Sequence, residues 1–273
     1  MSALVFLGSE SIDAIPVGNR GMAYGDGLFE TMRVHRGSIP WWQAHWARLA
    51  VGAARLGIAL PETTQVRQAA ATLFDDAGDG VLKLLLGRGG DARGYAPVPD
   101  APPVWVLSRH DLPERARQGL HLHWCATRMA IQPALAGLKH CNRLEQVLGR
   151  AECVRAHADE GLMCDGEGSV VSATAANVFV LWEGRWRTPR VDRCGVAGVC
   201  RSHLLLILDA CEERLSPAQV EDADAVFLCN AVRGILPVTR LGARTWTDVS
   251  QSVSAGQLLA QSHPGLAPDL EHP

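Results

Sequence analysis

Chemistry that needs a primary amine side chain has two addresses in this chain, Lys83 and Lys139. The remaining 24 of its 26 basic residues are arginines. An amine attacks a carbonyl only in its neutral form. Lys139 lies in GLKHCNRLEQVLGRAE, residues 137–152, where Leu144, Val147, Leu148 and Ala151 follow it at helical steps. A helix starting directly behind Lys139 would disfavour its charged form through the helix dipole, which makes it the better nucleophile. Lys83 falls within VLKLLL and reads as a strand lysine reaching solvent.

Three further segments carry candidate chemistry. In NRGMAYGDGLFETMRV, residues 19–34, Gly25 and Gly27 flank Asp26 in a tight turn that suits close backbone approach or an ordinary hairpin. Thr31, in the strand that follows, offers a hydroxyl either to a reacting centre or only to the sheet. In GRGGDARGYAP, residues 87–97, Arg88 and Arg93 have the fork geometry that clamps carboxylates, and Tyr95 stands beside them. Surface arginines on a glycine-rich loop fit that composition equally well. No Gly-Lys-Ser/Thr follows, so the loop is not a nucleotide P-loop. In residues 172–201, a Gly195/Gly198 turn opens a helix, and exposed N–H groups there make a natural phosphate seat, though many helices begin at Gly without binding an anion.

These segments need elements to position them. Short, partly β-branched apolar runs predict strands at Leu4–Leu7, Leu28–Val34, Val81–Leu86, Val104–Ser108, Leu120–Cys125, Gly161–Cys164, Asn177–Leu181 and Ala225–Leu228. Helical spacing predicts helices from Trp41 to Gly57, from Lys139 onward, and from Gly198 to Cys211. Strands mixed with helices give an α/β (α+β) fold. A Pro/Arg/Gly-rich linker near Leu112–Gly119 divides it into an N-terminal domain, 1–118, and a larger C-terminal domain, 119–273. The tail from Ser262 is expected to be loosely ordered.

Composition narrows the function classes. A net charge of −3 without lysine-rich runs argues against nucleic acid. No run reaches the roughly 18 apolar residues of a membrane span, and the first ten residues lack a signal peptide's basic region. Eight cysteines without a C-x-x-C pair indicate no metal site and suit reduced thiols in a cytoplasmic protein.

Taken in order, YGDGLFET, RGGDARGY, LKHCNRLEQVL, AANVF, TPRVDRCGVAGVCR and FLCNAVRGILPV resemble the fold-type IV pyridoxal-phosphate enzymes over residues 19–238. LKHCNRLEQ looks most like the aminodeoxychorismate lyase branch. The resemblance implies a PLP enzyme of two domains with the cofactor between them, commonly a homodimer. It further implies that Lys139 holds pyridoxal 5'-phosphate covalently and that Arg48 binds its phosphate. Val199 and Cys200 match further phosphate-binding positions through their backbone, with Asn230 and Ala231 on another phosphate-side loop. Ser172 stands where the family places a glutamate against the pyridine nitrogen, which makes the ring a weaker electron sink. The implied reaction takes 4-amino-4-deoxychorismate to 4-aminobenzoate and pyruvate, with Lys139 and Thr31 at the reacting centre. Arg93, Arg88 and Tyr95 are then candidates for the substrate's carboxylates. A fold-type IV aminotransferase for D-amino or branched-chain acids, and a catalytically silent relative, are the alternatives.

Overall fold

Residues 2–90, 94–114 and 119–267 are described by a computed structural model. They divide into two units, Met1–Leu112 with Leu138–Asn142, and Pro113–Gly137 with Arg143–Pro273. The first unit runs β1 (Ala3–Leu7), β2 (Glu10–Ile12), α1 (Arg20–Tyr24), β3 (Gly27–Val34), α2 (Trp42–Leu56), α3 (Thr63–Leu73), β4 (Gly80–Gly87) and β5 (Val104–His110). Its antiparallel sheet has the order β2-β1-β5-β4-β3. The four strands expected here all form.

Strand β3 obeys the two-residue alternation of a sheet. Leu28, Glu30 and Met32 face α2 and are 2%, 1% and 1% exposed, while Phe29 and Thr31 take the other face. The stripe that α2 buries is Trp42, His45, Leu49, Gly52 and Ala53. Gly52 permits close packing, because a Cβ there would come 2.9 Å from Leu28 Cδ1. As the sequence indicates, α2 ends at Gly57, whose left-handed φ of 64° closes the helix with bonds to Ala53 and Ala54 carbonyls.

Leu138–Asn142 belongs to this unit although its chain neighbours do not. It lies along the edge of β3: Phe29 N donates to Lys139 O at 2.9 Å and Cys141 N to Gly27 O at 2.9 Å, around a Leu28–His140 bridge. Lys139 and Phe29 therefore share one face of the sheet.

The second unit runs β6 (Leu120–Trp124), α4 (Leu144–Arg155), β7 (Glu160–Cys164), β8 (Val170–Ala173), β9 (Asn177–Trp182), β10 (Arg185–Pro189), α5 (Val199–Ile207), β11 (Cys211–Glu213), α6 (Pro217–Glu221), β12 (Ala225–Asn230), β13 (Gly234–Leu241), β14 (Arg244–Thr245) and α7 (Ser250–Ser262). Its sheet order is β11-β10-β9-β12-β13-β6-β7-β8, with β14 paired to β13. The β13–β6, β6–β7 and β10–β11 pairs are parallel. Leu162, Val178, Val180, Val226 and Leu228 form its apolar centre. Mixed strands and helices give the α/β class expected.

Two expectations change. The helix expected from Lys139 begins only at Leu144, because the preceding residues bond to β3 instead. The tail is ordered at its start: Pro264–Leu266 form a 3₁₀ turn and Leu266 is 2% exposed.

Candidate active site

On the Phe29 face of β3, Lys139 Nζ lies 4.3 Å from the ring centre of Phe29, and Lys83 Nζ lies 5.6 Å from the same centre. Thr31 sits opposite Lys83 across the β3–β4 pair. The two amines and the hydroxyl thus gather around one ring. Lys83 lies within β4, as expected, and is half-buried. The dipole argument for Lys139 fails, since α4 begins at Leu144, more than a turn beyond it. What singles out Lys139 is its attachment to β3 through backbone bonds on either side of His140.

On the opposite face, Glu30 is buried beneath α2 and takes two donors from it. His45 Nδ1 lies 2.7 Å from Glu30 Oε2. Arg48 Nε donates to Glu30 Oε1 at 2.8 Å, and Arg48 Nη2 donates to Oε2. Burial pushes the Glu30 carboxyl up, but the His45 bond and the Arg48 charge and bonds outweigh it and hold the group below the ordinary carboxylate value. Burial also holds His45 below its usual value, so it is neutral near pH 7. An ionised carboxylate only accepts, so His45 carries its proton on Nδ1. The sequence reading found Arg48 but missed Glu30 and His45. The signals were a lone acid inside an apolar strand and a histidine three residues ahead of an arginine on one helix face.

Arg88 is committed elsewhere. Its Nε donates to Asp26 Oδ2 at 2.8 Å, and its Nη2 donates to Leu56 O at 2.6 Å. Arg20 donates to Asp26 at 2.9 Å as well. Asp26 rises through burial, but the hydrogen bonds from Arg88 and Arg20 bring it below its ordinary value. This network pins the Gly25–Gly27 turn, so Arg88 is a structural partner of the turn. Tyr95 is 85% exposed, 5.4 Å from the Tyr24 ring, and its carbonyl accepts from Arg20. Arg93 lies outside the described residues.

Four predicted cofactor positions gather within the second unit. Helix α5 starts at Val199 and Cys200 behind N-cap Gly198, which supplies no side-chain cap. A Cβ on Gly198 would collide with Asn177 Oδ1, so the turn requires glycine. Asn177 in turn donates to Val196 O at 3.0 Å. Hydrogen bonding with Cys229 and burial push the Cys200 thiol well up, which keeps it neutral. The Asn230 side chain is occupied: it donates to Ala175 O and accepts from Val232 N and Arg233 N, which shapes the turn at Ala231. Ser172 lies on β8, 8% exposed, with its hydroxyl donating to Ala173 O at 3.0 Å and near Met129 Sδ.

Within the first unit, Lys139 offers an amine that suits an aldehyde and Arg48 a guanidinium that suits a phosphate; in the second unit, the uncapped start of α5 suits an anion by itself. Among the described residues, no cluster of His, Cys, Asp and Glu fits a metal ion, and no helix is long and apolar enough to cross a membrane.

Residues 27–241 match the Amino-transferase class IV family, and the chain belongs to it. This is a pyridoxal-phosphate-dependent family. The chain is 34% identical over 240 residues to aminodeoxychorismate lyase of Vibrio harveyi, covering 84% of this chain and 88% of that protein. It is 40% identical to the crystal structure of 4-amino-4-deoxychorismate lyase from Pseudomonas aeruginosa, with a TM-score of 0.85 over 94% of this chain and 98% of that one. A hypothetical aminotransferase from Mycobacterium tuberculosis in PLP-bound form shares the fold at 18% identity, with a TM-score of 0.81 over 95% of this chain and 98% of that one.

Proposed function

We propose that the chain is a pyridoxal-phosphate-dependent lyase converting 4-amino-4-deoxychorismate to 4-aminobenzoate and pyruvate. The observation that carries this reading is Lys139, held on the edge of β3 with its amine over Phe29, in a chain whose relatives at 34% and 40% identity are such lyases.

Bound pyridoxal phosphate supplies an aldehyde for an amine and a ring that accepts electron density from carbon. Lys139 is the residue that holds it. Arg48 and the backbone N–H groups of Val199, Cys200 and Ala231 are assigned to its phosphate. Ser172 is assigned to the ring nitrogen, where it offers a neutral hydroxyl and no charge. When not holding the cofactor, Lys139 Nζ would be the base that takes the proton from the substrate's amine-bearing ring carbon. It then returns a proton as the enolpyruvyl group departs as pyruvate. Aromatisation of the six-membered ring drives this elimination, so a neutral partner at the ring nitrogen is tolerable. Transamination lacks that driving force and is disfavoured. Thr31 and Lys83 share the Phe29 face with Lys139. Lys83 is assigned to a substrate carboxylate in place of Arg88, which serves Asp26, while Arg93 and Tyr95 remain candidates from the loop.

A cytoplasmic homodimer is part of the same reading. Eight free thiols suit a reducing compartment. On α4, Leu144, Val147, Leu148 and Val154 are 57–78% exposed along one stripe, the kind of face a second copy covers.

The test supplies chorismate, glutamine and an aminodeoxychorismate-forming enzyme, then measures 4-aminobenzoate. Wild type is expected to form product and Lys139→Ala to form none; equal product from both sinks the assignment of Lys139. Vigorous transamination of an amino acid with 2-oxoglutarate, without 4-aminobenzoate, would place the aminotransferase reading first.

A further inference from the structure

Glu30 is an acid at the centre of an apolar interface, and burying a carboxylate is costly unless it is paired. Its flanking residues on that face, Leu28 and Met32, are 2% and 1% exposed, so the site would accept an apolar side chain. What Glu30 does instead is hold Arg48 along the guanidinium's Nε–Nη2 edge. A two-point bond to a planar fork fixes its plane as well as its position. Arg48 is 13% exposed at its side chain and Glu30 is 2%, so the held group reaches the protein surface while its holder does not. His45, 1% exposed, donates to Glu30 from the helical turn before Arg48 and fixes the carboxylate in its turn.

We propose that Glu30, backed by His45, is a positioning residue that aims the Arg48 guanidinium at a phosphate monoester and so sets the protein's preference for phosphorylated over unphosphorylated cofactor. This rests on the assignment of Arg48 to the cofactor phosphate. An arginine held in advance loses little further freedom when a phosphate binds, whereas a released one must be ordered by the ligand. The carboxylate itself touches no ligand. Its bonds go to Arg48 and His45, and Lys139 acts on this network through its charge at His45.

The experiment compares equilibrium affinities of the apoprotein for pyridoxal phosphate and for pyridoxal, read by absorbance and tryptophan quenching. Pyridoxal carries the aldehyde but no phosphate, so the ratio isolates the phosphate end. Glu30→Gln is expected to lower the ratio roughly tenfold or more, the scale seen when partners behind a binding group are removed, with pyridoxal affinity little changed. Arg48→Ala is expected to remove most of the preference, and adding Glu30→Gln to it to change nothing further. An equal loss for both ligands in Glu30→Gln marks a merely structural role and overturns the proposal. A further fall in the ratio on adding Glu30→Gln to Arg48→Ala overturns it too. If Arg48→Ala leaves the ratio intact, the phosphate assignment of Arg48 fails first and the proposal fails with it. Should Glu30→Gln not fold, Glu30→Asp carries the test: the charge is kept but drawn back by one methylene, and an unchanged ratio overturns the proposal.

Discussion

Lys83 and Lys139 stand on opposite sides of the same question, since both amines approach the ring of Phe29, at 5.6 and 4.3 Å. Their attachments separate them. Lys83 is an interior residue of β4, paired to Ser108 and Thr31 on its two sides, and Lys139 sits on a short segment at the outer edge of β3. Borohydride reduction of the holoprotein followed by peptide mapping is expected to find the cofactor on Lys139 alone; label on Lys83 would exchange the two roles. Lys83→Met should keep that label and lose kcat/KM by roughly ten- to a hundredfold, the scale of one charge-assisted hydrogen bond of about 1.5–3 kcal/mol to a substrate carboxylate. Unchanged kcat/KM would remove Lys83 from substrate binding. The helix-dipole argument for Lys139 does not survive, since α4 starts at Leu144, and the family resemblance is what points to this residue. The convergence of Lys83 on it was not legible in the sequence, because the β3–β4 register that brings Lys83 beside Thr31 pairs residues 52 positions apart.

At the scale of elements, what could be read depended on whether a signal was local. Helix α2 was legible from Trp41 to Gly57 because its stripe and its glycine stop lie within the segment itself. The Lys139 segment was misread as the start of a helix because its bonds go to β3, more than a hundred residues away in sequence. Strand β13 went unread for a different reason. Gly234 and Pro237 interrupt its apolar run, and proline is rare inside a sheet, yet β13 lies between β12 and β6. The α4–β7 packing shows a similar non-local demand. Gly161 on β7 lies against the thiols of Cys125 and Cys153, and a Cβ there would stand 2.6 Å from Cys153 Sγ and closer still to Cys125 Sγ. Burial raises both thiols, Cys125 to about 12, so they pack as neutral groups. Gly161→Ala should therefore destabilise the protein by about 1–3 kcal/mol through overpacking, seen as a lower midpoint in urea. A midpoint equal to wild type would show that the thiols move aside freely.

Across the whole molecule, the groups that position Arg48 also make stability depend on pH. Burial lowers His45 from its ordinary value of 6.5, despite the Glu30 bond that raises it, so the unfolded chain takes up this proton first as pH falls. Glu30, although raised by burial, is brought below 4.5 by His45 and Arg48, and Asp26 is likewise brought below 3.8 by Arg88 and Arg20. In each case the unfolded state binds more protons in the window between the two values, so folding stability falls with falling pH. The His45 contribution is present above pH 6.5 and declines below it. The carboxylate contributions are present above about pH 5 and are lost as pH drops through the folded-state values. Each group adds a slope of at most about 1.4 kcal/mol per pH unit in its own window. Surface carboxylates add their own slopes, but these cancel when variants are compared with wild type. Urea unfolding of Glu30→Gln from pH 7 to 3 should therefore show a lower stability at pH 7 and a shallower acid decline than wild type, the two curves approaching each other below pH 4. Hydrogen exchange should place that loss in β3 and α2, where Glu30, His45 and Arg48 lie. Parallel curves over the whole range would show that Glu30 keeps an ordinary carboxylate value in the folded protein, and that Arg48 is held by something other than its charge.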